Sequence, residues 1–169
     1  MKKLEYYIFI YFLFLSTTLL AQTRIQFVSG NSGTNAVTSF NVTLTSIPAT
    51  GNTLIAVISS RSNTTNNVTS ITQTGATWAR AVSSTGNSTN NTTTEIWYTT
   101  FLSGAATAIT INQGLARSAA VVMEYSGLAY GAPLDQVAVA SNFNSTQSAA
   151  ATTGTTATTF DWQSVYRCY

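Results

Sequence analysis

The feature that most restricts the fold is a period of two in the apolar residues. Phe40, Val42 and Leu44 alternate with Ser39, Asn41 and Thr43, and Ile109 and Ile111 alternate with Ala108, Thr110 and Asn112. This spacing puts one side of an extended strand into a core, whereas an amphipathic helix needs a period near 3.6. β-Branched residues recur in short runs separated by Gly and Asn clusters, the pattern of an all-β sandwich. Candidate strands are residues 24–28, 37–45, 53–60, 67–73, 77–83, 93–102, 106–112, 117–125 and 135–141. Residues 54–58 and 119–123 break the alternation with continuous apolar runs, which fit central strands covered on both faces.

The N-terminus has a different character. Lys2 and Lys3 precede an aromatic-rich apolar run over residues 6–15, then Ser16-Thr17-Thr18 and Leu19-Leu20-Ala21. That is the three-part layout of a secretory signal with cleavage after Ala21. The apolar run is shorter than the ~20 residues of a membrane span, so an uncleaved anchor is the weaker reading. Export implies a secreted or cell-surface protein. The single Cys168 cannot form an internal disulfide, so the core must hold the domain together.

Charge is sparse, with seven basic and five acidic residues and a net charge of +2. The arginines are scattered singly and form no basic stripe, so nucleic acid is not an expected partner. An apolar fraction of 44% argues against disorder.

The chain contains no histidine, which removes Ser-His-Asp and Cys-His nucleophilic sites, most zinc sites and the commonest general base. No phosphate-binding Gly-rich loop occurs, and no cofactor is expected. Calcium through Glu124 and Asp135 would lack the several carboxylates such sites prefer. The chain therefore reads as a protein without catalysis. The enzymatic alternative is a carboxylate pair, Glu95 and Glu124, facing each other at about 5 Å as in a retaining glycosidase.

A binding role centres on aromatics. Strict alternation along 93–102 puts Ile96, Tyr98 and Leu102 on one face and Glu95, Trp97 and Phe101 on the other. With the first face in the core, Trp97 is an exposed platform for a sugar ring beside Glu95. Trp78 and Tyr130 would join it from loops. A core position for Trp97 is the competing reading. Expected partners are thus polysaccharide or cell-surface components.

Several motifs, in order, carry a resemblance: Gly51-Asn52-Thr53-Leu54-Ile55, Thr77-Trp78, Glu95-Ile96-Trp97-Tyr98, Glu124-Tyr125-Ser126-Gly127-Leu128, Pro133-Leu134-Asp135-Gln136 and Thr153-Gly154-Thr155-Thr156-Ala157-Thr158-Thr159. From about Arg24 to Thr159 the chain resembles a group of bacterial secreted and surface β-sandwich modules. The resemblance implies an adhesive or scaffold part of an exported protein with no assigned chemistry. In that group further hydrophobic strands follow the Thr-rich stretch. Here Phe160-Asp161-Trp162-Gln163 changes the texture.

The sequence thus predicts a helical signal peptide (1–21), a jelly-roll-like antiparallel β-sandwich (22–159) truncated at its C-terminus, and an atypical tail (160–169). Truncation would leave strand edges unpaired and open to self-association. A competing reading makes 160–168 a genuine last strand, because Phe160, Trp162 and Tyr166 share parity. Protein recovered outside the cytoplasm should begin at Gln22 on N-terminal sequencing. A chain that still starts at Met1 and extracts with membrane would favour the anchor.

Overall fold

The computed structural model describes residues 22–62, 66–85 and 92–140. The expected signal peptide and the expected tail lie outside the described residues, as does 141–159. Seven antiparallel strands make up the described fold: β1 (Thr23–Asn31), β2 (Val37–Thr43), β3 (Thr53–Arg61), β4 (Val68–Thr72), β5 (Ala76–Thr85), β6 (Thr92–Leu102) and β7 (Ala108–Ser126). No helix occurs among the described residues.

The larger sheet has the order β1-β7-β3-β6-β5, and β2 and β4 pair on either side of the first half of β7. The two sheets pack as a β-sandwich that does not close into a barrel. Their inner faces supply the core: Phe40, Val42, Val68, Ile71, Ile109 and Ile111 from the smaller sheet, and Leu54, Ala56, Ile58, Trp97, Leu102 and Val122 from the larger. The alternation at 40–44 and 109–111 is the inward face of strands covered on one side, as the sequence predicted.

β7 departs from expectation. The stretches 106–112 and 117–125 are not two strands but parts of one strand of 19 residues. Its first half pairs with β2 and β4, and from Arg117 onward it pairs with β3 and then β1. Gly114 lies at the transfer between sheets, where its N–H donates to the Asn67 carbonyl at 2.9 Å. A Cβ at Gly114 would stand 2.7 Å from Asn67 Oδ1, so the missing side chain permits the close pass. The gap left at 113–116 between the two expected strands is therefore a bend in one continuous strand.

Residues 135–140 form no strand and leave Val137 and Val139 exposed. The runs 54–58 and 119–123 pair with each other, Ile55 opposite Met123 and Val57 opposite Val121. Their inward residues are buried. Their outward face is only partly covered: Val121 is 38% exposed and Phe27, opposite Met123 on β1, is 59% exposed, while Met123 itself is buried. Central position in the sheet, rather than cover on both faces, accounts for these runs.

Single-residue bulges reset which side chains face inward. Thr77 opposes Phe101 but Trp78 opposes Thr99, so Thr100 is an extra residue on β6. Arg80 opposes Trp97 but Val82 opposes Ile96, so Ala81 is extra on β5. Thr69 is likewise extra on β4. Each bulge flips the parity that follows, which brings both Val68 and Ile71, and both Trp97 and Leu102, into the core.

Gly75 carries the turn between β4 and β5 at φ +74°, and a Cβ there would approach the Ser103 carbonyl oxygen to 2.5 Å. Both the conformation and the space demand glycine. Gly75→Ala should destabilise the protein by at least ~2 kcal/mol, read as a lower urea midpoint at unchanged slope.

Candidate functional site

Glu95, Trp97, Trp78 and Tyr130, proposed from sequence as a ligand platform, do not form one. Trp97 faces the core and is 6% exposed, the reverse of the expected orientation. The bulge at Thr100 explains the error: Leu102 and Trp97 share the inward face despite their odd spacing. Trp78 is a β5 strand residue rather than a loop residue. It is partly buried against the core, and its Nε1 donates to Gln73 Oε1 at 3.1 Å. Tyr130 is exposed, and its ring is tilted at 57° to that of exposed Phe101 with centroids 6.5 Å apart.

Glu95 is 1% exposed. Its Oε2 accepts from Arg80 Nε at 2.8 Å and from Trp97 Nε1 at 3.2 Å, and its Oε1 accepts from the Val68 N–H at 2.7 Å. Arg80 Nη2 donates to the Val68 carbonyl, and its guanidinium lies 4.6 Å over the Trp97 ring. One ion pair therefore takes both backbone groups of Val68 and ties β4 in the smaller sheet to β5 and β6 in the larger.

Glu124, also 1% exposed, works at the other edge. Its Oε1 accepts from the Ala49 N–H at 2.9 Å and Asn52 Nδ2 at 2.6 Å, and its Oε2 accepts from Gln26 Nε2 at 2.6 Å. Gln26 also exchanges hydrogen bonds with the Ser46 backbone. This carboxylate thus fixes the connection between β2 and β3, which passes from one sheet to the other. Neutral donors satisfy it throughout.

The two acids do not face each other at 5 Å. Glu95 opposes Ile58 and Glu124 opposes Leu54 on the intervening β3. Four residues at ~3.3 Å each and two strand spacings of ~4.8 Å separate them by roughly 16 Å. The carboxylate-pair expectation is therefore corrected. No group of three or more His, Cys, Asp or Glu residues that could hold a metal ion occurs among the described residues.

A different surface gathers functional side chains. Arg61 at the end of β3 lies directly opposite Arg117 on β7, and both are exposed on the outer face of the larger sheet. Directly opposed residues hold their Cβ atoms about 4.5–5.5 Å apart. Like charges on directly opposed residues repel, and neither arginine has a carboxylate partner among the described residues.

Their backbones are held firmly. The inward neighbours Ser60 and Ser118 hydrogen-bond to each other at 2.9 Å, and Ser118 donates to Gln113 Oε1 at 2.6 Å. Gln113 Nε2 in turn donates to the Val37 and Ala116 carbonyls.

Three concavities adjoin there. Arg61 and Arg117 line two of them, of about 530 and 520 Å³. Ser59, Thr92 and Ala119 continue from the second into a third of about 820 Å³. The result is an open groove with Arg, Ser, Thr and Asn side chains. Asn67 lines it too, is 3% exposed, and its Nδ2 has no hydrogen-bond partner.

Sequence reasoning missed this groove. Arg61 and Arg117 are 56 positions apart in number and become neighbours only through the β3–β7 register. No residue-level signal announces that pairing.

The class defined by fold and site is an antiparallel β-sandwich with buried acidic clasps and a cationic groove at one end. Comparison with family models, curated proteins and solved structures finds no match.

Removing Arg80 would leave Glu95 buried and unpaired. Arg80→Ala should cost about 3 kcal/mol, the low end of the range for a broken buried pair because the arginine side chain is 27% exposed. Urea unfolding of Arg80→Ala, Glu95→Gln and the double variant isolates the coupling. Values that simply add would show that the pair contributes little.

Proposed function

We propose that the protein is a non-catalytic, exported structural or adhesive β-sandwich module. The observation that carries this reading is the use to which its acids are put. Glu95 and Glu124 each have three hydrogen-bond donors and hold the sheets together from inside the core. A carboxylate that works as a general acid, base or nucleophile must reach a substrate. These two reach backbone and core side chains instead. The signal-like N-terminus and the resemblance to bacterial surface modules support an extracellular setting.

Carbohydrate binding is the second reading, and the open groove at Arg61 and Arg117 favours it over the aromatic platform. Its Ser, Thr and Asn side chains suit sugar hydroxyls, which need donors and acceptors in shallow relief.

Incubation of the purified protein with a panel of glycosides, polysaccharides and esters should release no reducing sugar or acid above blank. Turnover that co-elutes with the protein through two successive columns would overturn the proposal.

A further inference from the structure

We infer that the Arg61–Arg117 groove is a binding site for an acidic polysaccharide, with one sugar carboxylate bridged by the two guanidinium groups. The inference rests on the non-catalytic binding reading and names its ligand class.

The first argument is electrostatic. Among the described residues only Glu95, Glu124 and Asp135 are acidic. Glu95 is bound to Arg80, and Glu124 is buried among neutral donors. In a chain this poor in charge, two arginines nevertheless sit side by side on adjacent strands. Directly opposed like charges destabilise a sheet, so folding alone does not favour them. An anion between them reverses the sign of that interaction. Two guanidinium groups offer planar forks that match a carboxylate, which a flexible ammonium does not.

The second argument is the unsatisfied donor. Buried polar atoms are normally hydrogen-bonded, so Asn67 Nδ2, without a partner in the wall of the same cavity, marks a place where a polar group is wanted. A ligand oxygen reached by a small shift of the amide would satisfy it.

Shape and lining separate a sugar chain from other anions. The groove runs from Asn66 and Thr69, past the arginines, to Ser59, Thr94 and Ala119 on the outer sheet face. Its floor over Ser59 and Ala119 is made of small side chains, which leaves room for a pyranose ring. Leu115, 72% exposed at the rim, provides an apolar surface for the C–H face of a sugar. Two cations among hydroxyls fit a polymer with spaced carboxylates. A nucleic acid, with a phosphate on every nucleotide, calls for a longer basic track.

The test is affinity electrophoresis of the full chain through gels that contain polygalacturonate or neutral dextran. The protein should be retarded by polygalacturonate and not by dextran, and retardation should weaken as salt rises. The double variant Arg61→Gln/Arg117→Gln should lose at least about tenfold in affinity. Arg61→Lys/Arg117→Lys should keep the charge and lose only the fork, giving intermediate binding. Arg24→Gln, which removes an arginine stacked on Phe27, should bind as the parent does.

Without ligand, the Gln variant should melt no lower than the parent, because a repulsion has been removed. A lower melting temperature combined with weak binding by the Lys variant equal to that of the Gln variant would assign the arginines to folding and overturn the inference. Undiminished retardation of the Gln variant would also overturn it, as would equal retardation by dextran or equal affinity for single-stranded DNA. None of these results bears on catalysis. Release of reducing ends from polygalacturonate would instead overturn the non-catalytic reading, so the two can fail separately.

Discussion

A carboxylate placed inside a β-sandwich must be matched by donors, because an unpaired buried charge costs several kcal/mol. At Glu95 that requirement organises one edge of the molecule. The first residue of β4 is held through both its N–H and its carbonyl, β5 is held through Arg80, and Trp97 is turned inward to donate its indole N–H. β4 is short and pairs with β7 alone. Its alignment over the larger sheet therefore depends on Glu95 as much as on its own ladder. The bulge at Ala81 serves the same end, since it separates the inward Arg80 from the partly buried residues that follow it on β5.

Glu124 is the counterpart on the β1 side, with a different solution. No cation is present, and three neutral donors from β1 and from the β2–β3 connection converge on it. The two acids thus join the sheets at opposite ends of the same inner face. Between them the inward residues of β3, Leu54, Ala56 and Ile58, are apolar and fully buried. The outer face carries the remaining polarity, graded from Arg61 and Arg117 at one end to Phe27, Met123 and Tyr98 further along.

The fold class and most strand positions were legible because one-sided burial writes a period of two directly into β2 and into the first half of β7. Which face is buried was not legible in β6, because the single extra residue at Thr100 leaves no compositional mark and inverts the parity. That one bulge turned Trp97 from an apparent platform into a core side chain. The continuity of β7 through Gly114 was not legible either, because a glycine serves a turn and a close strand crossing equally well, and only the neighbour, Asn67, distinguishes them. The motifs around Glu95 and Glu124 stand out in the sequence, but the roles of these acids depend on partners from distant strands. The arginine groove was the least legible of all, since register between β3 and β7 is a property of the assembled sheet.

The pairing of β7 has a consequence for the order in which this chain can acquire structure. β1, β2 and β4 each have β7 as their sole hydrogen-bonded strand partner, and β7 comes last among the described strands. During synthesis or threading from the N-terminus, three of the seven strands have nothing to pair with until residues 108–126 arrive. Only β3, β5 and β6 can assemble earlier, and their apolar inner face then lacks its cover. Such late, non-local closure makes folding slow and keeps the described strands open until β7 has emerged. If the chain is exported as proposed, a topology that postpones collapse is an advantage in transit.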